Sequence, residues 1–169
     1  EAEASYRQAI FIKSDYVEAH NNLGNTLKKI GKTEEALASF RQAIAINPEL
    51  SEAHNNLGTV LQEIGKTEEA LASYRQAISL KNNYAEAHSN LGLSLKDIGR
   101  LDEAEESYRQ AISINPHYDE ANSNLGILYH DCGHFKKASE YLRLVDSYIG
   151  NIYLLKCLYM LDQESNFYN

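Results

Sequence analysis

Apolar and small residues recur along this chain at intervals of three and four, which is the spacing of one face of an α-helix. The first clear stripe consists of Ala19, Leu23, Leu27 and Ile30. Gly31 follows directly, in the place where a left-handed residue ends many helices. The pattern predicts a helix from about residue 17 that turns its stripe inward and ends at Gly31.

A second stripe begins a few residues later and predicts a second helix. Thr33 is its expected N-cap, with Glu34 and Glu35 in the first turn, and Pro48 ends it. Small residues in both helices allow them to pack closely as an antiparallel pair. The stripe alternates small and large side chains: Ala36, Phe40, Ala43 and Ile44.

The same pattern returns every 34 residues. The segment EAHNNLGNTLKKIGKTEEALASFRQAI starts at Glu18 and reappears with few changes from Glu52, where Thr67 is again the expected N-cap, and from Glu86. A fixed period of this length is typical of solenoids, in which each unit buries its apolar face against its neighbours. A fourth copy starts at Asp119 and leaves the pattern after Ala138, at Leu142, Val145 and Gly150.

These residues resemble the tetratricopeptide repeat (TPR) family over about residues 2–150. The first full repeat carries the motif within 34 residues: Leu23-Gly24, Ala36, Phe40, Ala43 and Pro48. The resemblance implies an all-α fold, a right-handed superhelical α-solenoid of antiparallel helix pairs. The chain departs from the family pattern at two positions. The aromatic residue usual at the fourth position is replaced by His20, His54, His88 and Asn122. The Pro that ends the second helix is replaced by Asn82 in the second full repeat.

The repeat frame divides the chain into six segments. Residues 1–16 hold the second helix of a truncated repeat, 17–50, 51–84 and 85–118 are full repeats, 119–150 is a degenerate repeat, and 151–169 is a capping helix with a tail. Solenoids need polar caps to stay soluble. Neither end clearly supplies one, so we expect a fragment of a longer protein or, alternatively, end-to-end self-association.

A helical wheel gives each first helix a second face, about a third of a turn from the buried stripe. In TPR proteins the first helices line the concave side, so this face is the expected binding surface. The second position of each repeat is acidic: Glu18, Glu52, Glu86 and Glu120. The sixth position is always an amide: Asn22, Asn56, Asn90 and Asn124. The ninth position varies: Asn25, Thr59, Leu93 and Ile127.

The four sixth-position residues form what we call the asparagine ladder. Helix layers lie about 8–10 Å apart and an extended chain advances about 3.3–3.6 Å per residue, so one Asn would meet about every third residue of a peptide. Each amide can donate to and accept from a peptide backbone. The arrangement is similar to the ladder of O-linked N-acetylglucosamine transferases. The alternative is that these side chains bond neighbouring helices and hold the superhelical pitch.

The charge of the chain limits its partners. A net charge of −8 without a basic run argues against nucleic acid, whose binding depends on Lys and Arg. The second-position Glu residues would repel an acidic tail, so a neutral or basic extended segment is the expected ligand. Leu93 and Ile127 give the ninth position an apolar character. They could seat a ligand side chain or be covered by the helix expected at 151–162.

No residue pattern supports catalysis, a cofactor or a metal. His20, His54 and His88 belong to different helix layers, too far apart for one zinc ion, and a packing role is expected. His130, Cys132 and His134 lie close in sequence but have no fourth ligand. No apolar run could span a membrane, and two Cys make no disulfide framework. A cytoplasmic setting is expected.

Three functions fit these patterns. The first is a non-catalytic scaffold that binds a protein or peptide segment through the asparagine ladder. The second is the substrate-recognition arm of a larger modifying enzyme, such as the glycosyltransferases and sulfotransferases to which similar TPR arrays are attached. The third is an oligomerising structural module.

Overall fold

The computed structural model describes the backbone of residues 1–167 and the side chains of residues 1–163. Every regular element in this part of the chain is an α-helix. In chain order the helices are α1 (Ala2–Ile12), α2 (Val17–Lys29), α3 (Thr33–Ile46), α4 (Ser51–Glu63), α5 (Thr67–Leu80), α6 (Ala85–Asp97), α7 (Leu101–Ile114), α8 (Asp119–Asp131), α9 (Phe135–Leu142) and α10 (Tyr148–Phe167).

The helices form two compact units, Glu1–Ala87 and His88–Asn169. In the first unit α2 packs on α3 and α4 on α5, while α3 also contacts α4. In the second unit α8 packs on α9 and α7. Consecutive helix pairs without strands confirm the expected all-α solenoid.

Glycines at the eighth repeat position bring the paired helices together. A Cβ atom placed on Gly24 would lie 2.6 Å from the Phe40 ring, and one on Gly58 would lie 2.7 Å from the Tyr74 ring. Real Cβ atoms do not approach rings so closely, so only glycine allows these aromatic side chains to fill the space between the helices.

The fourth pair keeps the same contact with another residue type. Leu142 was expected to fall off the pattern, but its side chain lies against Gly126, as Phe40 lies against Gly24. Leu142 is fully buried and Val145 is buried beside it. The buried positions of the repeat therefore continue to residue 145, although α9 ends at Leu142.

Each first helix ends in the same hydrogen-bonded turn. Gly31 has φ +76°, its N–H donates to the Lys28 carbonyl at 3.0 Å, and the Lys32 N–H donates to the Leu27 carbonyl at 2.9 Å. This is a Schellman motif, and it recurs at Gly65, Gly99 and Gly133. The left-handed glycine expected from the sequence is confirmed.

The N-caps expected at Thr33 and Thr67 are wrong. Lys32 and Lys66 occupy the cap positions, without a side-chain capping hydrogen bond, and each Thr is the first helical residue. The reason is the tight Schellman turn, which closes on the Lys and starts the next helix directly after it.

The fourteenth position was also misplaced in the buried stripe. Ile30 is 54% exposed, because it is the C-cap residue with φ −100° and ψ 11°, outside the rotation of the helix. The side chains at the tenth position are buried instead at Val60, Ser94 and Leu128. The other exposed fourteenth-position residues are Ile64, Ile98 and Cys132.

The last helix pair is shorter than the others. α9 has 8 residues, whereas α3, α5 and α7 have 14 each. The chain therefore turns early, and α10 begins at Tyr148 and packs on α9 and α8. A helix was expected at 151–162, and the observed helix contains that segment.

Candidate functional site

Within each compact unit, the predicted binding residues share one partly accessible helix face. All four members of the asparagine ladder are half-buried, while the second-position Glu side chains are exposed. In the first unit the face lies on α2 and α4, and in the second unit it is clearest on α8. Half-buried amides beside exposed carboxylates can bind a peptide backbone without being part of the core.

One member of the asparagine ladder bonds a neighbouring helix. The Asn56 side chain on α4 donates to the Asn21 side-chain oxygen on α2 at 3.1 Å. This is the type of contact that the pitch-holding alternative requires. It also shows that fifth-position residues help to order the face.

The residue before Asn56 forms a buried link that the sequence pattern did not reveal. Asn55 is fully buried, and its amide donates to the Glu86 carboxylate at 3.0 Å. The available signal was the paired amide of the first two repeats, Asn21–Asn22 and Asn55–Asn56, which the later repeats replace with Ser–Asn. Glu86 is thus held by Asn55, although it remains exposed on one side.

Two other members of the asparagine ladder have side chains without a hydrogen-bond partner among the described residues. Among residues whose side chains the structure describes, neither the Asn22 amide nor the Asn124 amide makes a hydrogen bond. Both are half-buried, so each retains donor and acceptor atoms that are available to solvent or to a ligand.

Carboxylates on the first helices lie near two tyrosines, the half-buried Tyr84 and the buried Tyr108. Burial is the main cause that raises the pKa of Tyr84, and the nearby Glu86 and Glu52 raise it further. Burial likewise raises the pKa of Tyr108, with contributions from Asp97 and Glu120. In both units the phenolate is disfavoured, and cationic groups would be stabilised near the same carboxylates.

The ninth position is part of a pocket only at Ile127. A cavity of about 520 Å³ with mostly apolar walls lies between α8 and the start of α10, and we call it the α8–α10 pocket. Ile127 and Asn124 line one side, and Val145 and Tyr148 line the other. α10 thus borders Ile127 and leaves the pocket open. Leu93, which is 37% exposed, is not among its lining residues.

The remaining ninth-position residues are polar. The Thr59 hydroxyl donates to the Asn55 carbonyl at 3.1 Å, within its own helix. Asn25 is half-buried on α2 beside Asn22. The hydroxyl donor of Thr59 is therefore already used, and a ligand contact at Asn25 stays a prediction from the sequence.

The recurring histidines fix the turn that precedes each first helix. His20 Nε2 donates to the Ser14 carbonyl, and His54 Nε2 donates to the Pro48 carbonyl, both at 2.9 Å. Asn122 replaces the His in the fourth copy and donates to the Pro116 carbonyl at 3.0 Å. His20 and His54 thus have the structural role that was expected, and the shared carbonyl contact explains why an amide can substitute for an imidazole.

No three His, Cys, Asp or Glu side chains converge as metal ligands within the described residues. The same part of the chain has no helix with the length and hydropathy needed to cross a bilayer. Cys132 is exposed and Cys157 is buried, and both are free thiols.

The second unit contains a polar network that the sequence pattern did not predict. The Tyr129 hydroxyl on α8 donates to the Glu105 carboxylate and accepts from Arg109, both at 2.8 Å. Burial and the bond to Glu105 raise the pKa of Tyr129. The signal was a Tyr at the eleventh position, where the other repeats have Leu. The network links α7 to α8 and has a structural role.

Consecutive helix pairs, joined by glycine turns and carrying an accessible first-helix face, define an α-solenoid repeat protein. A family model described as TPR repeat matches residues 1–31, 24–65 and 60–99. Two models described as tetratricopeptide repeat match residues 85–118 and 119–151. The chain belongs to the tetratricopeptide repeat family.

Several solved structures are similar to this chain. MamA is 26% identical with a TM-score of 0.74, and the match covers 97% of this chain and 89% of MamA. YrrB, described as a TPR protein with an unusual peptide-binding site, is 27% identical with a TM-score of 0.70, over 88% of this chain and 79% of YrrB.

A third structure, of PilF from Pseudomonas aeruginosa, is 18% identical with a TM-score of 0.84, over 95% of this chain and 75% of PilF. At that identity the likeness concerns the fold alone. No curated protein sequence matches this chain significantly.

Proposed function

We propose that this chain is a non-catalytic scaffold that binds an extended protein segment on the first-helix face of its repeats. The asparagine ladder would hold the backbone of that segment, and the second-position carboxylates would favour a neutral or basic sequence. The observation that carries the proposal is the half-buried position of Asn22 and Asn124, whose amides bond no described side chain or backbone group. These amides keep donor and acceptor atoms that are accessible to solvent, and the backbone of a bound peptide could pair with them.

The comparison with YrrB supports a peptide ligand. YrrB is described as having a peptide-binding site, and it is 27% identical to this chain over most of both lengths. TPR membership supports a protein-interaction role in general. The asparagine ladder as the contact surface, and a cytoplasmic location, are our proposals beyond that.

The pitch-holding alternative is favoured by one specific contact, the bond between Asn56 and Asn21. Asn56 would then stabilise the solenoid, while Asn22 and Asn124 would bind the ligand. The two roles predict different effects of the same substitution, because losing a hydrogen bond within the fold costs about 0.5–1.5 kcal/mol of stability.

The test measures stability and peptide binding for the same variants. We expect the Asn22→Ala, Asn124→Ala double variant to unfold at the same urea concentration as wild type. On an array of neutral and basic peptides we expect it to bind about tenfold more weakly, since two hydrogen bonds of about 0.5–1.5 kcal/mol each are lost. Asn83→Ala, in an exposed loop, is the matched control.

Asn56→Ala separates the alternatives. We expect it to lower the free energy of unfolding by about 1 kcal/mol, because it removes the bond to Asn21. If the double variant at positions 22 and 124 binds peptides as wild type does, the asparagine ladder is not the contact surface. If all ladder variants lose stability equally, the ladder holds the pitch alone.

A further inference from the structure

The α8–α10 pocket differs from the rest of the first-helix face because it is apolar. Its volume of about 520 Å³ is in the range of protein ligand pockets, about 300–1,000 Å³. Ile127 of α8 faces Val145 and the first turn of α10 across it. No equivalent space is expected in the earlier repeats, where the second helix has 14 residues. The shortened α9 and the early start of α10 create it.

Two apolar side chains of the pocket are largely exposed to water. Tyr148 is 82% exposed and Ile149 is 58% exposed, and both line the pocket at the start of α10. Removing apolar surface from water favours binding. An apolar group in this pocket would therefore gain contacts with Ile127 of α8 and with Tyr148 of α10.

The charged residues of the pocket are acidic. Asp119 and Glu120, in the first turn of α8, line it together with Asn124, and the lining contains no Lys, Arg or His. Neither carboxylate forms an ion pair with a described residue, and Glu120 only accepts a bond from the Tyr118 hydroxyl at 3.0 Å. A cation beside the apolar group would thus be attracted to two carboxylates that form no ion pair with a described residue.

An anionic ligand does not fit the pocket. The N-terminus of α10 could attract an anion, but the Ser147 hydroxyl already accepts the Gly150 N–H at 3.0 Å. The carboxylates of Asp119 and Glu120 would also repel it. Charge complementarity therefore selects a cationic partner.

We propose that the α8–α10 pocket binds an apolar side chain of an extended peptide that has Lys or Arg as the adjacent residue. Ile127, Val145 and Tyr148 contact the apolar side chain, and Glu120 with Asp119 binds the cation. Asn124, a member of the asparagine ladder, lies in the same pocket and bonds the peptide backbone between them. The inference rests on the proposed peptide-binding function and specifies a sequence preference for one end of the face.

The test uses three fluorescently labelled peptides with blocked ends. They differ only in a central dipeptide, Leu-Arg, Leu-Glu or Ser-Arg, within a Gly-Ser background. Binding is measured by fluorescence anisotropy with wild type and with Tyr148→Ser. Tyr159→Ser is the matched control, because Tyr159 is also an exposed tyrosine of α10, 64% exposed, and does not line the pocket.

We expect the Leu-Arg peptide to bind wild type at least about tenfold more tightly than either of the others, a difference of about 1.4 kcal/mol. Tyr148→Ser should weaken Leu-Arg binding at least about fivefold, and Tyr159→Ser should leave it unchanged. Glu120→Gln keeps an acceptor for Tyr118 and should reduce the preference for Leu-Arg over Leu-Glu. It should also reduce the salt dependence of binding.

Four results would overturn the inference. If the three peptides bind equally, or if the two tyrosine substitutions have equal effects, the pocket does not select the peptide. The proposed function still stands in either case if ladder variants weaken binding. No binding of the Leu-Arg peptide also removes the pocket, and the peptide array then decides the proposed function separately. Sedimentation that shows a dimer dispersed by Tyr148→Ser assigns the pocket to a second copy of the chain.

Discussion

At the scale of single residues, the same repeat position can have different surroundings in successive repeats. Phe40 and Tyr108 both fill the space beside a glycine of the paired helix. Tyr108 adds a hydroxyl oxygen that is buried and makes no hydrogen bond among the described residues. The ring thus stabilises the core, whereas the hydroxyl is buried at a cost.

Tyr108→Phe should therefore not destabilise the protein at neutral pH. We expect an unchanged free energy of unfolding or a gain of up to about 1 kcal/mol, because a desolvated hydroxyl is removed. Urea denaturation at pH 7 measures this. A clear loss of stability would show that the hydroxyl has a partner.

The same variant should lower the sensitivity to alkali. Burial raises the pKa of Tyr108 in the folded state, with Asp97 and Glu120 as further causes. The folded pKa exceeds the unfolded value of about 10. The free energy of unfolding is therefore unaffected by this group below about pH 10, and it decreases as the pH rises above that value, because the unfolded chain loses the phenol proton more readily. Tyr108→Phe should reduce that loss, while Tyr159→Phe, at an exposed position, should not.

At the scale of helices, the close contact between paired helices depends on a glycine facing a ring. Gly58 in α4 lies against Tyr74 in α5, and a Cβ atom would approach that ring to 2.7 Å. Alanine has the higher helix propensity by about 1 kcal/mol. Overpacking costs about 1–3 kcal/mol, so steric conflict outweighs propensity.

Gly58→Ala should lower the free energy of unfolding by up to about 2 kcal/mol, because an overpacking cost of about 1–3 kcal/mol is offset by about 1 kcal/mol of helix propensity. Urea denaturation measures the effect. Tyr74→Ala provides a second background, because it removes the ring that the added Cβ atom would meet. In that background we expect a smaller cost of Gly58→Ala. An equal cost in both backgrounds would mean that the ring is not the obstacle.

At the scale of the whole molecule, stability is unequal along the chain. α1 has no buried residue, and Phe11 and Ile12 at its end are 86% and 76% exposed. Surface ion pairs attach it to the next pair: Lys32 bonds Glu3 at 3.1 Å, and Arg7 contacts Glu35. By contrast, α3 and α5 each bury several side chains. In a solenoid such differences lead to opening from a weak end.

Backbone amides of α1 should thus exchange with solvent faster than those of α3 and α5. Bonds from Lys32 and then Arg7 lower the pKa of Glu3. The stabilisation from the bonds of Glu3 to Lys32 and Arg7 is therefore fully present above the unfolded pKa of Glu3. It is lost as the pH falls through the folded pKa. Hydrogen exchange measured by mass spectrometry should show α1 exchange accelerated by high salt and by Glu3→Gln. Uniform protection of α1 and α3 would contradict this gradient.

The sequence alone determined the helices, their order and most of the core. The 34-residue period repeats each buried Ala, Leu and Gly, and local chemistry decides such elements because a helix stripe and a left-handed glycine depend on neighbouring residues. The errors at Thr33 and Ile30 both lie within two residues of Gly31, which forms a Schellman turn. There the φ and ψ angles leave the helix, and a wheel with constant rotation no longer applies.

Only the tertiary structure decided which side chains of the binding face already have partners. Asn56 and Asn22 occupy equivalent sequence positions, but only Asn56 bonds another helix, because Asn21 of the preceding pair lies within reach. The α8–α10 pocket likewise depends on where α10 starts after the short α9. Contacts between segments distant in sequence depend on how the helices pack. A periodic sequence pattern predicts the same contacts for every repeat, even where the packing differs.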